Sequence, residues 1–367
     1  DDVYLARVAG DEFAAILEKR PKDGDIPALA HVFADAIDEG FPLADKLVKT
    51  AASLGVAIFP EHGTTTQELM SNADIAMYRS KTDPGSVIHA YNSDLDQAIR
   101  ERRLLTNDLK NAVEREEIDV HFQPQARVAD GEIIGFEALA RWLHPEHGYI
   151  SPAVFVPIAE EIGLIETIGH RVLKRSCECA ANWPKPVTVS VNLSAIQIRQ
   201  TDLVSMVHTT LLESGLPAKR LELEVTESVL IDDFTIALKV LRGIKNLGIS
   251  LAMDDFGTGY SSLSSLVTFP FDKLKIDRSF IMDLDNNQQL AAIVRAIIGM
   301  GENLGLTVIA EGVEQPSHVE FLARENCDEM QGFLIGKPMS NDTAIELLSS
   351  ADTYLLYAAE QDDSMVA

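Results

Sequence analysis

Between Gln123 and Glu132 the chain has room for little more than a turn through Asp130–Gly131. A parallel crossover needs a dozen or more residues. The apolar runs on either side, 118–123 (IDVHFQ) and 132–138 (EIIGFEA), must therefore pair as an antiparallel hairpin. The rest of the chain follows a different rhythm. Strand-like runs recur at 187–192 (VTVSVN), 221–226 (LELEVT), 249–253 (ISLAM), 271–276 (FDKLKI), 306–310 (LTVIA) and 329–334 (EMQGFL). Helical stretches such as 201–214 and 288–304 separate most of them. Eight strands with intervening helices over about 250 residues predict an α/β fold, a (β/α)8 TIM-like barrel with one antiparallel strand.

A barrel of this kind carries its chemistry at the C-terminal ends of its strands. Glu137, Asn192, Glu224, Asp254 with Asp255, Lys275, Glu311 and Gln331 each sit at or just after an apolar run. Any one of them fits a helix cap or a surface position; the whole set points to a site. The pair at 254–255 ends the run Ile249–Met253 and is followed by Gly257 and Gly259. One aspartate could cap the next helix. Two neighbouring carboxylates repel unless a cation lies between them. Several carboxylates with one amide suit a hard cation held by oxygen. Two cations bridged by such a pair stabilise the attacking and leaving oxygens of phosphoester hydrolysis. No HExxH motif occurs, and His144 and His147 flank Pro145–Glu146 in an expected solvated loop, which argues against zinc.

The formal net charge is −26, from 57 acidic against 31 basic residues, and disfavours a partner such as duplex nucleic acid. Three cysteines with no CxxC pair, Cys177, Cys179 and Cys327, fit a reduced, cytoplasmic setting. The sequence contains neither a signal peptide nor an uninterrupted apolar stretch long enough for a bilayer. It opens in mid-strand, as a fragment of a longer protein would, which leaves room for upstream membrane or sensor domains.

Residues 1–92 form a separate block. VYLARV and Glu12–Leu17 read as a hairpin with AGD at its tip, 27–39 has helical spacing, and AASLGVAIFP reads as a strand. TTQELMSNADIAMYRSK is an amphipathic helix with Leu69, Ala73, Ala76 and Met77 on one face. The expected division is 1–92, a linker helix at 93–106, the barrel at 107–350 and a tail at 351–367.

The segments FEALARW (136–142), VNLS (191–194), LEVTES (223–228), MDDFGTGYSSL (253–263), LKID (274–277), AEGVE (310–314) and QGF (331–333) resemble the EAL-domain cyclic-di-GMP phosphodiesterases, in order over about residues 100–350. AGDEF (9–13), SLGVAIFPEHG (53–63) and NADIAMY (72–78) resemble the C-terminal half of a GGDEF diguanylate cyclase domain. The first resemblance implies hydrolysis of cyclic di-GMP to linear pGpG with two Mg2+ or Mn2+ ions. It places Glu137, Asn192, Glu224 and Asp254 on the first ion, and Asp254, Asp255 and Glu311 on the second. Lys275, with Glu311 and Glu137, is implied as catalytic. Lys275 would act as a base through a lowered pKa or as electrostatic support. Gln123, Leu139, Arg141, Ser194, Glu314 and Gln331 are implied as substrate contacts. Glu227 resembles the acid that steadies the DDFGTGYSSL loop, which tends to lie near a dimer interface, so a homodimer through the barrel is expected.

The second resemblance keeps Asp11 and Glu12 of the cyclase motif and matches Lys81 to a phosphate contact. Ala9 replaces a glycine, and Gly85–Ser86–Val87 stands where the family has Gly-Arg-Asn. With half the domain missing, this chain is expected not to make cyclic di-GMP. An intact GGDEF domain could bind GTP and regulate the barrel. Two rival readings remain: a receptor that binds cyclic di-GMP without cleaving it, and a bifunctional cyclase–phosphodiesterase.

Replacing Glu227 by Ala tests the loop role. Loss of one charge-assisted hydrogen bond costs about 1.5–3 kcal/mol, which corresponds to roughly a tenfold to hundredfold drop in turnover. The drop is expected at limiting Mg2+, with partial recovery at high Mg2+, in a pGpG-release assay across a Mg2+ series.

Overall fold

The computed structural model describes residues 3–9, 12–17, 33–34, 37, 41–43, 46–48, 52–82, 88–200, 202–226, 234–257, 263–284 and 287–350. It divides into two units, 1–107 and 108–367. In the first unit, β1 (Val3–Ala9) and β2 (Glu12–Leu17) form the expected antiparallel hairpin, with Ala9 opposite Glu12. Asp11 at its tip lies outside the described residues, as does most of the expected 27–39 helix. Strands β3 (Phe41–Leu43) and β4 (Lys46–Val48) pair antiparallel. The short strand β5 (Leu54–Val56), helix α1 (Thr66–Thr82) and strand β6 (Ile88–Ala90) make a βαβ unit with parallel strands. Leu69, Ala73, Ala76 and Met77 are all shielded from solvent in part or whole, as the helical spacing requires.

Helix α2 (Ser93–Glu114) is one continuous helix of 22 residues that runs on past 106, the expected end of the linker helix. Then come β7 (Ile118–Arg127), β8 (Ile133–His144) and β9 (Gly148–Ile150). Helices α3 (Pro152–Glu161) and α4 (Ile165–Ala181) precede β10 (Thr188–Leu193). Two more, α5 (Ala195–Gln200) and α6 (Leu203–Ser214), lead to β11 (Leu221–Thr226). The remainder alternates: α7 (Phe234–Asn246), β12 (Ser250–Phe256), α8 (Leu263–Thr268), β13 (Lys273–Ile276), α9 (Arg278–Ile281), α10 (Gln288–Leu304), β14 (Thr307–Ala310), α11 (Pro316–Arg324), β15 (Glu329–Gln331) and α12 (Asn341–Ser349).

Strands β10 to β15, β7 and β8 close an eight-stranded barrel through a β8–β10 pairing, and β9 extends the rim beside β8. Strand β7 runs antiparallel to both neighbours, β8 and β15; the other barrel pairings are parallel. The short Asp130–Gly131 connection forces this reversal. The hairpin is longer than the sequence runs indicate, because β7 and β8 continue pairing past the barrel wall, up to Ile118 opposite Trp142. Strand β15, by contrast, stops at Gln331. A Cβ at Gly332 would collide with the backbone of Val313, so the chain turns there on a glycine.

Successive strand residues face opposite sides. Val189, Val191, Leu221, Leu223, Leu251, Met253, Leu274, Ile276 and Val308 are buried residues of the strands. Their counterparts recur along α4 at Ile165, Ile168, Val172 and Leu173, the three- and four-residue spacing of one helical face. The alternate positions, polar in most strands, line the lumen. Among the described residues no helix is long and apolar enough to cross a membrane.

Leu223 is fully buried between Val191 and Leu251 in the sheet. Leu223→Ala is expected to cost about 2–5 kcal/mol of barrel stability. Urea unfolding followed by the fluorescence of Trp142 and Trp183, both in the barrel, reads this directly.

Candidate active site

The lumen-facing alternates converge on Lys275. Its ammonium lies 2.6 Å from Glu224 Oε2, 2.6 Å from Glu311 Oε1, 3.0 Å from Asp254 Oδ1 and 3.9 Å from Glu137 Oε2. Lys275 is 1% exposed and Glu224 fully buried. Burial alone disfavours the charged form of Lys275, but Asp254, Glu137, Glu224 and Glu311 outweigh it and hold its pKa well above the usual lysine range. Facing these acids, Lys275 is held in its charged form. Desolvation pushes the Glu311 carboxyl up to about 8, with Lys275 opposing and Asp254 and Glu137 adding to the rise. Glu224 is likewise raised, by burial first.

Asp254 and Asp255 do not end their strand. Strand β12 runs through them to Phe256. In a regular strand two adjacent side chains would point to opposite faces. Here the β12–β13 register shifts between Met253 and Phe256, and Asp255 takes a left-handed φ of 54°. This bulge brings both carboxylates to the barrel mouth. Oxygens of Asp254, Asp255 and Glu311 lie within 4.8 Å of one another, a cluster able to hold a metal ion. Burial and the neighbouring Asp254 raise the Asp255 pKa. The following loop, with Gly259, and Glu227 after β11 lie outside the described residues.

Glu137 lies in the middle of β8, not at its end, because the hairpin extends beyond it. Both of its oxygens accept amide hydrogen bonds: Oε1 from Asn192 Nδ2 at 2.7 Å and Oε2 from Gln331 Nε2 at 2.6 Å. Gln331 also donates to Gln123 Oε1 at 3.2 Å, and Gln123 donates to the Gly336 carbonyl. Of the other implied substrate contacts, Leu139 and Arg141 lie further up β8, half-buried. Burial lowers the Arg141 pKa, against Glu137. Ser194 caps the turn into α5, its hydroxyl accepting from Ile196 N. Glu314 is exposed and takes no part in the hydrogen bonds around Lys275.

A second charged cluster in the lumen was not singled out from sequence. Lys273 lies 3.0 Å from Glu222 and 2.8 Å from Glu329, and Ser190 donates to Glu222 at 2.8 Å. Its signal was present as the i, i+2 repeats Glu222–Glu224 and Lys273–Lys275, which put both members on one strand face. His144 corrects the expectation of a solvated loop. It ends β8 and is buried, its Nδ1 accepting from the backbone N–H groups of Glu146 and His147 and its Nε2 lying 3.4 Å from Asp108. His147 is exposed, as expected. All three cysteines are buried and free.

A closed barrel with one reversed strand and a ring of acids about a lysine defines the class. The chain belongs to the EAL domain family, matched over residues 106–338, and residues 1–86 match the diguanylate cyclase GGDEF domain. It is 45% identical to an uncharacterised signalling protein of Caulobacter vibrioides over 95% of this chain and 43% of the relative. It is 40% identical to the bifunctional diguanylate cyclase/cyclic di-GMP phosphodiesterase MucR of Pseudomonas aeruginosa, over 94% of this chain and 50% of that protein. The chain thus spans half the length, or somewhat less, of these relatives. The solved structure of the PaMucR phosphodiesterase in complex with c-di-GMP superposes with a TM-score of 0.64 and 43% identity, covering 66% of this chain and 99% of that one.

The raised Glu311 pKa gives a test. A divalent cation bound at this carboxylate displaces its proton. Mn2+ titrations at pH 7, in buffers of different ionisation enthalpy, are expected to report release of up to about one proton from this group. The release should disappear as the pH rises past the pKa of about 8.

Proposed function

We propose that the barrel, residues 107–350, hydrolyses cyclic di-GMP to linear pGpG with two divalent cations, Mg2+ or Mn2+. The observation that carries this reading is the excess of acid at the mouth: Glu137, Glu224, Asp254 and Glu311 surround the buried Lys275 ammonium, and Asp255 clusters with Asp254 and Glu311. The donor set fits hard cations. It is all oxygen, and Glu224 Oε1 is buried without a hydrogen-bond partner among the described residues, so a strong acceptor is left to spare. Glu137, Asn192, Glu224 and Asp254 would hold one ion; Asp254, Asp255 and Glu311 the other. Bound there, the cations would supply Lewis-acid activation of water and of the phosphoryl oxygens.

The remaining work belongs to the chain's own residues. Lys275 keeps a fixed positive charge at the centre of the cluster, suited to a phosphate oxygen carrying growing charge in the transition state. Arg141 offers a planar fork for guanine or phosphate above the cluster. Gln123, Leu139, Ser194, Glu314 and Gln331 complete the substrate surface. The name of MucR and the c-di-GMP held by its solved phosphodiesterase domain support this substrate. A homodimer through the barrel, and a regulatory GGDEF domain that binds GTP when intact, extend the same proposal.

Glu137→Ala is expected to abolish pGpG formation while cyclic-di-GMP binding persists, and EDTA is expected to stop the parent enzyme until Mg2+ or Mn2+ is restored. Product chromatography, with equilibrium binding measured beside it, tests both. Near-normal turnover in the variant, or full turnover after metal stripping, would overturn the assignment.

A further inference from the structure

Gln125 is fully buried and belongs to none of the roles assigned above. It follows Gln123 by two positions on β7 and so shares its face. Its partner across the hairpin is Gly135, and its partner on the other side is Gln331. A Cβ at Gly135 would lie 3.1 Å from Gln125 Oε1 and would collide with Thr188 Oγ1, so the missing side chain at 135 leaves the space that the Gln125 amide occupies.

The hydrogen bonds around it have a direction. Glu137, as a carboxylate, can only accept. Gln331 must therefore turn its NH2 toward Glu137, which it does at 2.6 Å. That choice aims Gln331 Oε1 the other way, where a donor is required. Gln125 Nε2 provides it at 2.9 Å. Gln125 pays for this in its own acceptor, since its Oε1 is buried with no partner among the described residues. Turning the Gln125 amide over would set two carbonyl oxygens against each other. The charge on Glu137 thus fixes the orientation of two successive amides, and the outer one, unpaired on one side, is retained to serve the inner.

We propose that Gln125 is a positioning residue for the metal site: it locks the Gln331 amide, which in turn holds the Glu137 carboxylate in the orientation that receives a divalent cation. The proposal rests on the metal reading given above. Partners of this kind behind a metal ligand commonly change metal affinity by about 10–100-fold when removed.

The test is Mn2+ affinity of the whole chain, measured by the electron paramagnetic resonance signal of free Mn2+, with no substrate and no turnover. Gln125→Met keeps the volume and removes the donor; Gln125→Asn keeps the amide but shortens its reach. Circular dichroism melting checks that each folds. Both variants are expected to bind Mn2+ about tenfold more weakly. Gln331→Met is expected to lose at least as much, and the Gln125→Met/Gln331→Met pair no more than Gln331→Met alone, because residues acting in series do not add. Parent-like Mn2+ affinity in folded Gln125 variants overturns the proposal, as do losses that add in the pair. A parent chain that takes up no Mn2+ overturns the metal reading itself, and the proposal falls with it.

Discussion

The ammonium of Lys275 is the point on which the barrel interior is arranged. It is enclosed by four carboxylates within 4 Å, and one further acid, Asp255, stands beside them. A buried ion pair gains little over apolar packing, and an unmatched buried charge is strongly unfavourable. Burial first, and then the neighbouring acids, raise the pKa values of Glu224, Asp255 and Glu311. A chain selected only for stability would have no reason to keep five acids here. The surplus has meaning as a receptacle for added positive charge.

That surplus is tolerable because the strand faces are divided strictly. Outward-facing positions such as Leu223, Leu251 and Leu274 are apolar and fully buried. The inward-facing alternates are polar in most strands and find one another across the lumen. Lys273 with Glu222 and Glu329 makes a second ion cluster. Burial opposes the charge on Lys273, yet the two glutamates hold its pKa above the ordinary lysine range. Removing either lysine would leave acids facing acids inside a closed wall.

Much of this was legible in the sequence, for definite reasons. The reversed strand followed from the length of one connection, and the ring of site residues from polar positions beside apolar runs. What escaped was whatever depends on local geometry that periodicity does not encode. The aspartate pair reads as the end of a strand because the apolar run stops at Met253, yet β12 continues through both, and the bulge at Asp255 turns two neighbours to the same mouth. His144 was read as solvated, because a His-Pro pair in a polar stretch gives no hint that the ring will fold back onto its own turn. Gln125 and Glu222 were visible only as i, i+2 companions of site residues. In β7 that companion comes later in the chain and not earlier, because the strand is reversed.

The reversal of β7 also decides where the polypeptide joins the barrel. In an all-parallel barrel the first strand begins at the floor, opposite the chemistry. Here Ile118, the first residue of β7, sits across from Trp142, beside Asp119 opposite Arg141, at the catalytic rim. The residues just before it grip that rim: the Glu117 carbonyl accepts from Leu143 N, its carboxylate from Trp142 Nε1, and Asp108 meets His144. The entering helix is therefore a handle fastened to the lip of the cup.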